Sequence, residues 1–556
     1  MKKIISALLV VVMLFSLAIP AFSAINIYET RSQIPVIHIS GDGNTIYNKD
    51  GEALSKFGAF IGNQGGQTGS SSIAALIESA ETMYKEYLFE GLLKDNWEPF
   101  YDAIQTEVSK YFGEILLDEN GEATNGTHIS QSNTVTVDKK VENNKGYYGP
   151  RDYDFWYDWR LDPYEVAEDF NQYVQDIKKV TGAEKVSIIA RCLGSNVVCA
   201  YLTRYGTDDI YGVGFDGVVC AGAEPLSESM SGQFKVDMSS IKRVYIDAEK
   251  FGRINLDPIV LACIELVDRS GLVDGYVAVK KATLYEKLVK GVTSALVLSS
   301  VAYPCYWACV KYEDFDTALE YVFGEEGSEK RVKYAGLIEK ITRYNEVVKK
   351  NIPSLVKSLP EKGVKVAIIS KYGSQLVPTC KSATTIADSF VSVNSSSFGA
   401  TTGTIYETLS DEYIAAQTEK GLGKYISPDK QIDASTCLLP DYTWFVKGVA
   451  HSNWTEAENM LLMTVITNEK QLTVDDLPET QFMVQDPNHK GRMIPMTEEN
   501  CHTEPWTADE ETDHPTSFIT RVKLYFEALS NFSKELFRVL KEKAAESKAA
   551  KTTLKA

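Results

Sequence analysis

Short apolar runs alternate with longer amphipathic stretches along much of this chain. The apolar runs predict buried strands, because a strand covered on both faces has no polar positions to expose. Apolar residues that recur every three or four positions predict helices packed on those strands. The predicted strands are residues 34–40, 153–160, the start of 185–198, 215–221, 364–370, 391–393 and 442–449. This alternation predicts an α/β fold with a mainly parallel sheet and helices on both faces.

Two insertions interrupt the pattern and divide the core into residues 24–226 and 362–470. The first insertion, 84–145, is helical at its start and then becomes a polar loop. The second, 227–361, is helical throughout and is expected to form a cap. Its uncharged stretch 291–310 favours the buried side of a cap over a lid that contacts a membrane. Beyond residue 471 we expect a C-terminal extension with a long amphipathic helix over 515–548.

The segment Lys185 to Val198 predicts a strand, a tight turn and a helix, with one reactive side chain at the turn. Such a turn lifts a nucleophile out of the sheet and needs small neighbours where strand and helix pass closely. Ala190, Gly194 and Ser195 supply the small residues, and Cys192 occupies the tip. A cysteine at this position predicts acyl transfer through a thiol, which makes Cys192 the candidate nucleophile.

A thiol nucleophile needs a base, and an acid to orient that base. His451 is the candidate base, because it directly follows a predicted strand late in the chain and precedes a helix. Asp433 is the candidate acid, with Asp429 as its competitor and Asp441 as a further possibility close to the strand. The chain has six histidines, and four of the others, His128, His489, His502 and His514, lie in polar segments that suit surface residues. His38 lies inside the first predicted strand, where a structural role and a catalytic one both remain open.

Backbone amides are expected to stabilise the oxyanion of the reaction. The N–H of Leu193 would do so from the start of the elbow helix. The glycine-rich loop after the first strand would supply a second donor, from the backbone of Asp42 or Gly43. Arg191, beside the nucleophile, would either favour the thiolate or form a salt bridge with the aspartates of residues 153–162.

A family resemblance rests on several of these segments. Tyr157-Asp-Trp-Arg-Leu-Asp-Pro163 resembles the Tyr-Asp-Trp-Arg segment of the lecithin:cholesterol acyltransferase family, and Gly41-Asp-Gly43, Lys371-Tyr-Gly-Ser and the order acid then histidine fit it as well. The resemblance implies an α/β-hydrolase fold with a cap and acyl-ester chemistry on lipids. The family has serine in a Gly-His-Ser-x-Gly setting, whereas this chain has Ala-Arg-Cys-Leu-Gly.

Two functions of different classes follow. The first is a secreted acyl-ester hydrolase or acyltransferase that acts on a lipid-like ester through a thioester, with transient membrane contact as a further possibility. An amidase or peptidase would share the same triad. The second is a catalytically inactive protein that binds a lipid or another ligand on the same scaffold. Labelling and turnover with simple esters separate the two.

The N-terminus and the cysteines bear on the compartment. Lys2 and Lys3 precede an apolar run that ends in Ala21-Phe-Ser23, which is typical of an export signal cleaved after residue 23. The chain has nine cysteines, an odd number that leaves at least one thiol unpaired. The other eight either form up to four disulfides or remain reduced and buried.

Charge and motif content exclude several classes of protein. The formal net charge of −19 repels nucleic acid, so no nucleic-acid partner is expected. The chain has no phosphate-binding Gly-Lys-Ser loop and no dinucleotide fingerprint, and its cysteines lack zinc-site spacing. We therefore expect no cofactor and no metal. The sequence leaves the oligomeric state open.

Overall fold

The computed structural model describes the sheet and most of its covering helices. The described residues are 34–40, 44–54, 96–135, 152–233, 301–376, 380–405, 407–451, 453–477, 480–486 and 492–501, with Ser530 and Lys534 as isolated positions. The predicted export segment 1–23 and the loop residues 41–43 lie outside them, as does the predicted helix over 515–548 apart from those two positions.

The described chain contains fourteen strands and twelve α-helices, and six of the helices lie in succession between β6 and β7. The strands are β1 (Val36–Ile39), β2 (Ile46–Tyr47), β3 (His128–Ile129), β4 (Asp152–Asp154), β5 (Val186–Cys192), β6 (Ile210–Val218), β7 (Lys365–Tyr372), β8 (Ser374–Gln375), β9 (Ile386–Ala387), β10 (Thr401–Thr402), β11 (Ile432–Asp433), β12 (Thr443–Lys447), β13 (Phe482–Gln485) and β14 (Met493–Pro495). The α-helices are α1 (Glu98–Phe112), α2 (Pro163–Thr181), α3 (Gly194–Tyr205), α4 (Glu224–Met230), α5 (Pro304–Trp307), α6 (Phe315–Phe323), α7 (Glu329–Lys333), α8 (Ala335–Val347), α9 (Ile352–Glu361), α10 (Val393–Ser396), α11 (Asp411–Glu419) and α12 (Glu456–Ile466).

Eight of the described strands form one sheet, in the spatial order β14-β13-β12-β7-β6-β5-β1-β4. Neighbouring strands are parallel throughout, except that β14 runs antiparallel to β13. The predicted α/β class with a mainly parallel sheet is therefore confirmed. The carboxyl ends of β5, β6, β7 and β12 lie side by side, so the loops that follow these strands meet at one edge.

Helices cover both faces of the sheet. On β5, Ile188 and Ala190 belong to the core that also contains the buried faces of α2 and α3. Ile189, between them, packs with Leu462 and Ile466 of α12 on the opposite face. Alternate residues of one strand thus serve two hydrophobic cores, which is why these strands are continuously apolar in sequence.

The helix before the elbow matches its prediction. Asp162 caps the start of α2 by accepting a hydrogen bond from the Tyr164 N–H, and Pro163 occupies the first turn. Gly182 ends the helix with a left-handed φ of 71°. The predicted apolar stripe is buried at all five of its positions, which are Val166, Phe170, Tyr173, Val174 and Ile177.

The described residues of the predicted cap, 227–233 and 301–361, are mostly helical. Residues 301–310 are all buried, and Tyr303 and Tyr306 lie against the ring of Trp159 at centroid distances of 5.6 and 5.7 Å. The final helix, α9, packs on α3 and β7 and so belongs to the layer that covers the sheet. Among the described helices, none combines the length and apolar character that crossing a bilayer requires.

Three predicted elements differ from the structure. The strand predicted at 391–393 is instead the start of α10, because the Ser392 side chain caps a helical turn by accepting from the Ser395 N–H. The strand predicted at 153–160 ends at Asp154, and the chain then turns so that the guanidinium of Arg160 is buried. The helix predicted over 331–350 is interrupted at Tyr334 between α7 and α8.

Candidate active site

The turn after β5 has the strained backbone of a nucleophile elbow. Cys192 has a φ of +45°, in the left-handed region that residues other than glycine rarely adopt. A Cβ added to Gly194 would lie 2.2 Å from the carbonyl oxygen of Ile39, so only glycine fits where α3 starts against β1. Strain of this kind persists where the surrounding structure over-determines it, as at functional sites.

The Ser195 side chain links the elbow to the end of β6 by hydrogen bonds. Its hydroxyl donates to the Cys192 carbonyl oxygen at 2.7 Å and accepts from the backbone N–H groups of Val219 and Cys220, each at 3.2 Å. The small residue expected from the elbow pattern is therefore also a hydrogen-bonding link between the ends of β5 and β6.

Cys192 and His451 come together at the carboxyl edge of the sheet. The Cys192 Sγ lies 3.1 Å from the His451 Nε2, and the His451 Nδ1 lies 2.7 Å from a carboxylate oxygen of Asp388. Cys192 is 4% exposed, His451 2% and Asp388 0%. A nucleophile, an imidazole and an orienting carboxylate thus form one hydrogen-bonded chain, the arrangement that activates a nucleophile by general base catalysis.

The loop of Asp388 is built to hold an ionised carboxylate. Asp388 Oδ1 accepts hydrogen bonds from the N–H groups of Phe390 and Val391, at 3.0 and 2.8 Å, and the Asp388 carbonyl oxygen accepts from the His451 N–H. Burial raises the pKa of this carboxyl, but His451, Lys371 and the backbone donors outweigh burial, and the pKa is lowered overall. Asp388 is therefore an anion opposite the imidazole at neutral pH.

The structure does not place the predicted acid, Asp433, next to His451. It lies in β11, where its carboxylate accepts from the Tyr413 hydroxyl and the Ser435 N–H, both at 2.8 Å. The Nδ1 of His451 is occupied by Asp388, which the sequence analysis missed. The competitors are engaged elsewhere too: Asp429 with Lys447, and Asp441 with Tyr425.

Local sequence does not separate Asp388 from the other aspartates between β7 and β12. Asp433 was preferred because it lies just ahead of the histidine strand. In the sheet, β7 lies between β6 and β12, so a loop after β7 is the one that reaches between the nucleophile and the histidine.

The predicted oxyanion donors are only partly described. Leu193 directly precedes α3 at the elbow, in the position expected for its N–H. Asp42 and Gly43 lie outside the described residues. The end of β1, from which their loop continues, is held against the start of α3 by the contact between Ile39 and Gly194.

Two aromatic rings lie next to the imidazole of His451. The ring of Phe390 lies 5.2 Å and that of Trp454 6.2 Å from the His451 ring, centroid to centroid. Cys305 and Tyr306, within the buried residues 301–310, are close enough to Cys192 to interact with it electrostatically, and burial raises the pKa of each far above its usual value. The groups described beside Cys192 and His451 thus include three aromatic side chains.

The resembling segment 157–160 links three parts of the molecule. Arg160 pairs with Asp158 and also donates to the Ile115 carbonyl oxygen in the first insertion, at 2.7 Å. Trp159 packs on Tyr303, and the Tyr157 carbonyl oxygen accepts from Asn44 at 2.6 Å, just beyond the predicted oxyanion loop.

Arg191 is ion-paired, but with a different partner from the one expected. Its Nε lies 3.2 Å from Asp216 on β6 instead of reaching the aspartates of residues 153–162, and its other nitrogens reach His38 and Asn459. The pair belongs to a buried group of charges behind His451 that also includes Lys371 and Glu458.

The described cysteines are reduced. Cys192, Cys199, Cys220, Cys305, Cys309, Cys380, Cys437 and Cys501 are free and buried, and Cys263 lies outside the described residues. This arrangement matches the alternative in which the thiols act as small buried hydrophobic groups. Within the described segments, no group of three or more His, Cys, Asp or Glu side chains is arranged to hold a metal ion.

Comparison with known proteins adds little to this geometry. No model of a protein family matches the chain, and no curated protein matches it either. Among solved structures, the crystal structure of the Tle4-Tli4 complex is similar at a TM-score of 0.24 and 12% sequence identity, over 61% of this chain and 75% of that chain. A similarity of that size carries no argument about function, so the function rests on this chain's own residues.

Proposed function

We propose that this protein is an exported acyl-ester hydrolase or acyltransferase of the lecithin:cholesterol acyltransferase-like kind, which acts on a lipid-like ester through Cys192, His451 and Asp388. The observation that carries the proposal is the chain of contacts from Cys192 Sγ to His451 Nε2, at 3.1 Å, and from His451 Nδ1 to Asp388, at 2.7 Å. The positive φ of Cys192 supports it independently.

In the first half-reaction, His451 Nε2 takes the proton of the Cys192 thiol, and the sulfur attacks the acyl carbonyl carbon. The carbonyl electron pair moves onto oxygen, where the Leu193 N–H stabilises it, together with the expected amides of Asp42 or Gly43. The intermediate collapses to a thioester, and the leaving alkoxide takes the proton back from His451. Asp388 keeps the Nδ1 proton in place and stabilises the imidazolium.

In the second half-reaction, an acceptor hydroxyl or water attacks the thioester while His451 takes its proton. The Cys192 thiolate leaves and is protonated again, so the cycle closes without an external acid or base. A thioester reacts readily with alcohols and amines, which favours transfer in competition with hydrolysis. The aromatic rings of Phe390 and Trp454 beside His451 support an apolar acyl group as the substrate part bound here.

The test uses the mature chain with p-nitrophenyl esters of several chain lengths, with and without an acceptor alcohol. We expect nitrophenol release and an acyl adduct on Cys192, seen by intact mass and removed by neutral hydroxylamine as a thioester would be. Replacing Cys192 with Ala should abolish the adduct and lower turnover roughly 10⁴-fold or more. Undiminished turnover in the Cys192→Ala variant would contradict the assignment, and a chain that binds ligand without an adduct at any chain length would be an inactive binder.

A further inference from the structure

Lys371 lies at the centre of the buried group of charges that also contains Arg191, Asp216 and Glu458. This lysine lies on β7, which β6 separates from the nucleophile strand β5, and its side chain is 0% exposed. A fully buried ammonium group is costly unless it is paired and hydrogen-bonded. The partners it has found therefore indicate what it does.

The Lys371 Nζ holds the loop that carries His451. It donates to the carbonyl oxygen of His451 itself at 3.0 Å and to that of Asn453 at 3.1 Å. The same nitrogen lies 3.7 Å from the centre of the Trp454 ring. One cation thus contacts three residues of the segment that begins with the imidazole, and it fixes the backbone from which the imidazole projects.

The space for this lysine is provided by a glycine. Gly217, near the end of β6, has a φ of +55°, and a Cβ there would lie 3.2 Å from the Lys371 Cε and 3.7 Å from the His451 Cε1. The lysine side chain therefore passes close to the imidazole ring through a gap that a larger residue would fill.

The charges around Lys371 explain how it stays buried as a cation. Asp216 on β6 lies 3.7 Å from the Nζ and is shared with Arg191 of β5. Glu458 of α12 also faces the group, and burial raises its pKa to about 7, an effect that Lys371 opposes. Asp216 is thus shared by two cations, and Lys371 also helps to lower the pKa of Asp388. Its direct contacts with the histidine segment are the two backbone carbonyl groups and the Trp454 ring.

We propose that Lys371 is a positioning residue of the triad: it clamps the carbonyl groups of residues 451 and 453, and thereby sets the distance and angle at which His451 meets Cys192. The inference rests on the proposed function for its kinetic consequence. Its structural part, the order of the 449–455 segment and the reactivity of Cys192, can be measured without any ester.

The test compares Lys371→Met with a matched control, Lys447→Met. Lys447 is also a buried lysine, on the adjacent strand β12, and it pairs with Asp429 away from the imidazole. Lys371→Met should lower kcat for a p-nitrophenyl ester roughly 10- to 100-fold, with KM changed less than about twofold. It should also slow alkylation of Cys192 by iodoacetamide at pH 6 roughly 10-fold, and speed hydrogen exchange in 449–455 but not in β5. The control should keep wild-type kcat, alkylation and exchange in 449–455.

A double variant, Lys371→Met with Asp216→Asn, separates positioning from charge imbalance and serves if the single variant does not fold. If the losses come from a poorly compensated Asp216, the double variant recovers wild-type alkylation and the proposal is overturned; if they come from the lost clamp, it does not recover. Wild-type alkylation and exchange in Lys371→Met, or equal losses in Lys447→Met, would also overturn it. A wild-type protein that cleaves no ester refutes the proposed function but leaves the alkylation and exchange measurements to decide on Lys371.

Discussion

Two segments between β7 and β12 each contain a fully buried aspartate, and only one of these aspartates contacts the histidine. Asp388 follows β7 and Asp433 precedes β12, and each is 0% exposed and accepts a backbone N–H two residues ahead. They differ in what meets the second carboxylate oxygen: His451 for Asp388, and the Tyr413 hydroxyl for Asp433. Burial and a local turn therefore do not distinguish a catalytic carboxylate from a structural one. The two carboxylates are distinguished by the side chain that contacts the second oxygen, His451 or Tyr413.

The largest expected effect comes from exchanging the two carboxylates for amides one at a time. Asp388→Asn should lower kcat for ester cleavage roughly 10²- to 10⁴-fold, because the amide neither stabilises the imidazolium nor fixes the Nδ1 proton. Asp433→Asn should leave kcat within about threefold of wild type. Steady-state kinetics on the two folded variants measure kcat for each. Equal losses of kcat would show that Asp388 has no larger role in catalysis than Asp433.

Cys192 and His451, which have strong local signals, were predicted to act together and lie 3.1 Å apart in the structure, whereas Asp388, which contacts His451, was not predicted. Cys192 stands in an elbow whose small neighbours are needed by local sterics, and His451 is one of few histidines and directly follows a strand. Asp388 lies in a polar stretch between β7 and β12, where nothing local separates it from Asp429 or Asp433. Choosing it requires the spatial order of β6, β7 and β12, which the alternation of apolar runs does not give.

The same limit explains other differences between prediction and structure. Lys371 reads as the polar end of a strand, and only its partners on the 451–453 segment indicate a role. Ser392 and its neighbours read as a strand, yet a side-chain cap starts a helix there. By contrast, the α/β class and the stripe of α2 follow from periodicity alone, since each depends on residues near one another in sequence.

A second, smaller effect concerns how each loop is anchored. The Ser392 hydroxyl donates to the buried Glu224 at 2.6 Å, whereas the Thr436 hydroxyl donates to the Gly399 carbonyl oxygen at 2.9 Å. Replacing either hydroxyl residue with Ala should cost about 1–2 kcal/mol of stability. Only Ser392→Ala should also lower kcat, by roughly 3- to 10-fold, because only that segment carries the proposed catalytic acid, Asp388.

Thermal unfolding and kinetics on the same two preparations test this pair. A fall in kcat for Thr436→Ala that matches the fall for Ser392→Ala would show that both loops are coupled to the site, against the comparison drawn here. Loss of stability without loss of kcat in Ser392→Ala would mean that the Asp388 loop keeps its shape without this anchor.

The smallest effect is on stability in acid. Because the pKa of Asp388 is lowered in the folded protein, its ionised form stabilises the fold above the unfolded value of about 3.8, and this contribution is lost as the pH falls through the folded pKa. The Asp388→Asn variant lacks the contribution, so its free energy of unfolding should fall less steeply than that of wild type below about pH 4. Denaturant titrations at a series of pH values measure the two slopes, and parallel slopes would contradict the lowered pKa.

The contact between Gly194 and the Ile39 carbonyl oxygen restricts how this site could be re-engineered. With no side chain at 194, the elbow and β1 pack directly on each other, so no larger residue fits at this position. Substitutions meant to change the surroundings of the sulfur have to be made at other neighbours of Cys192, such as Tyr306.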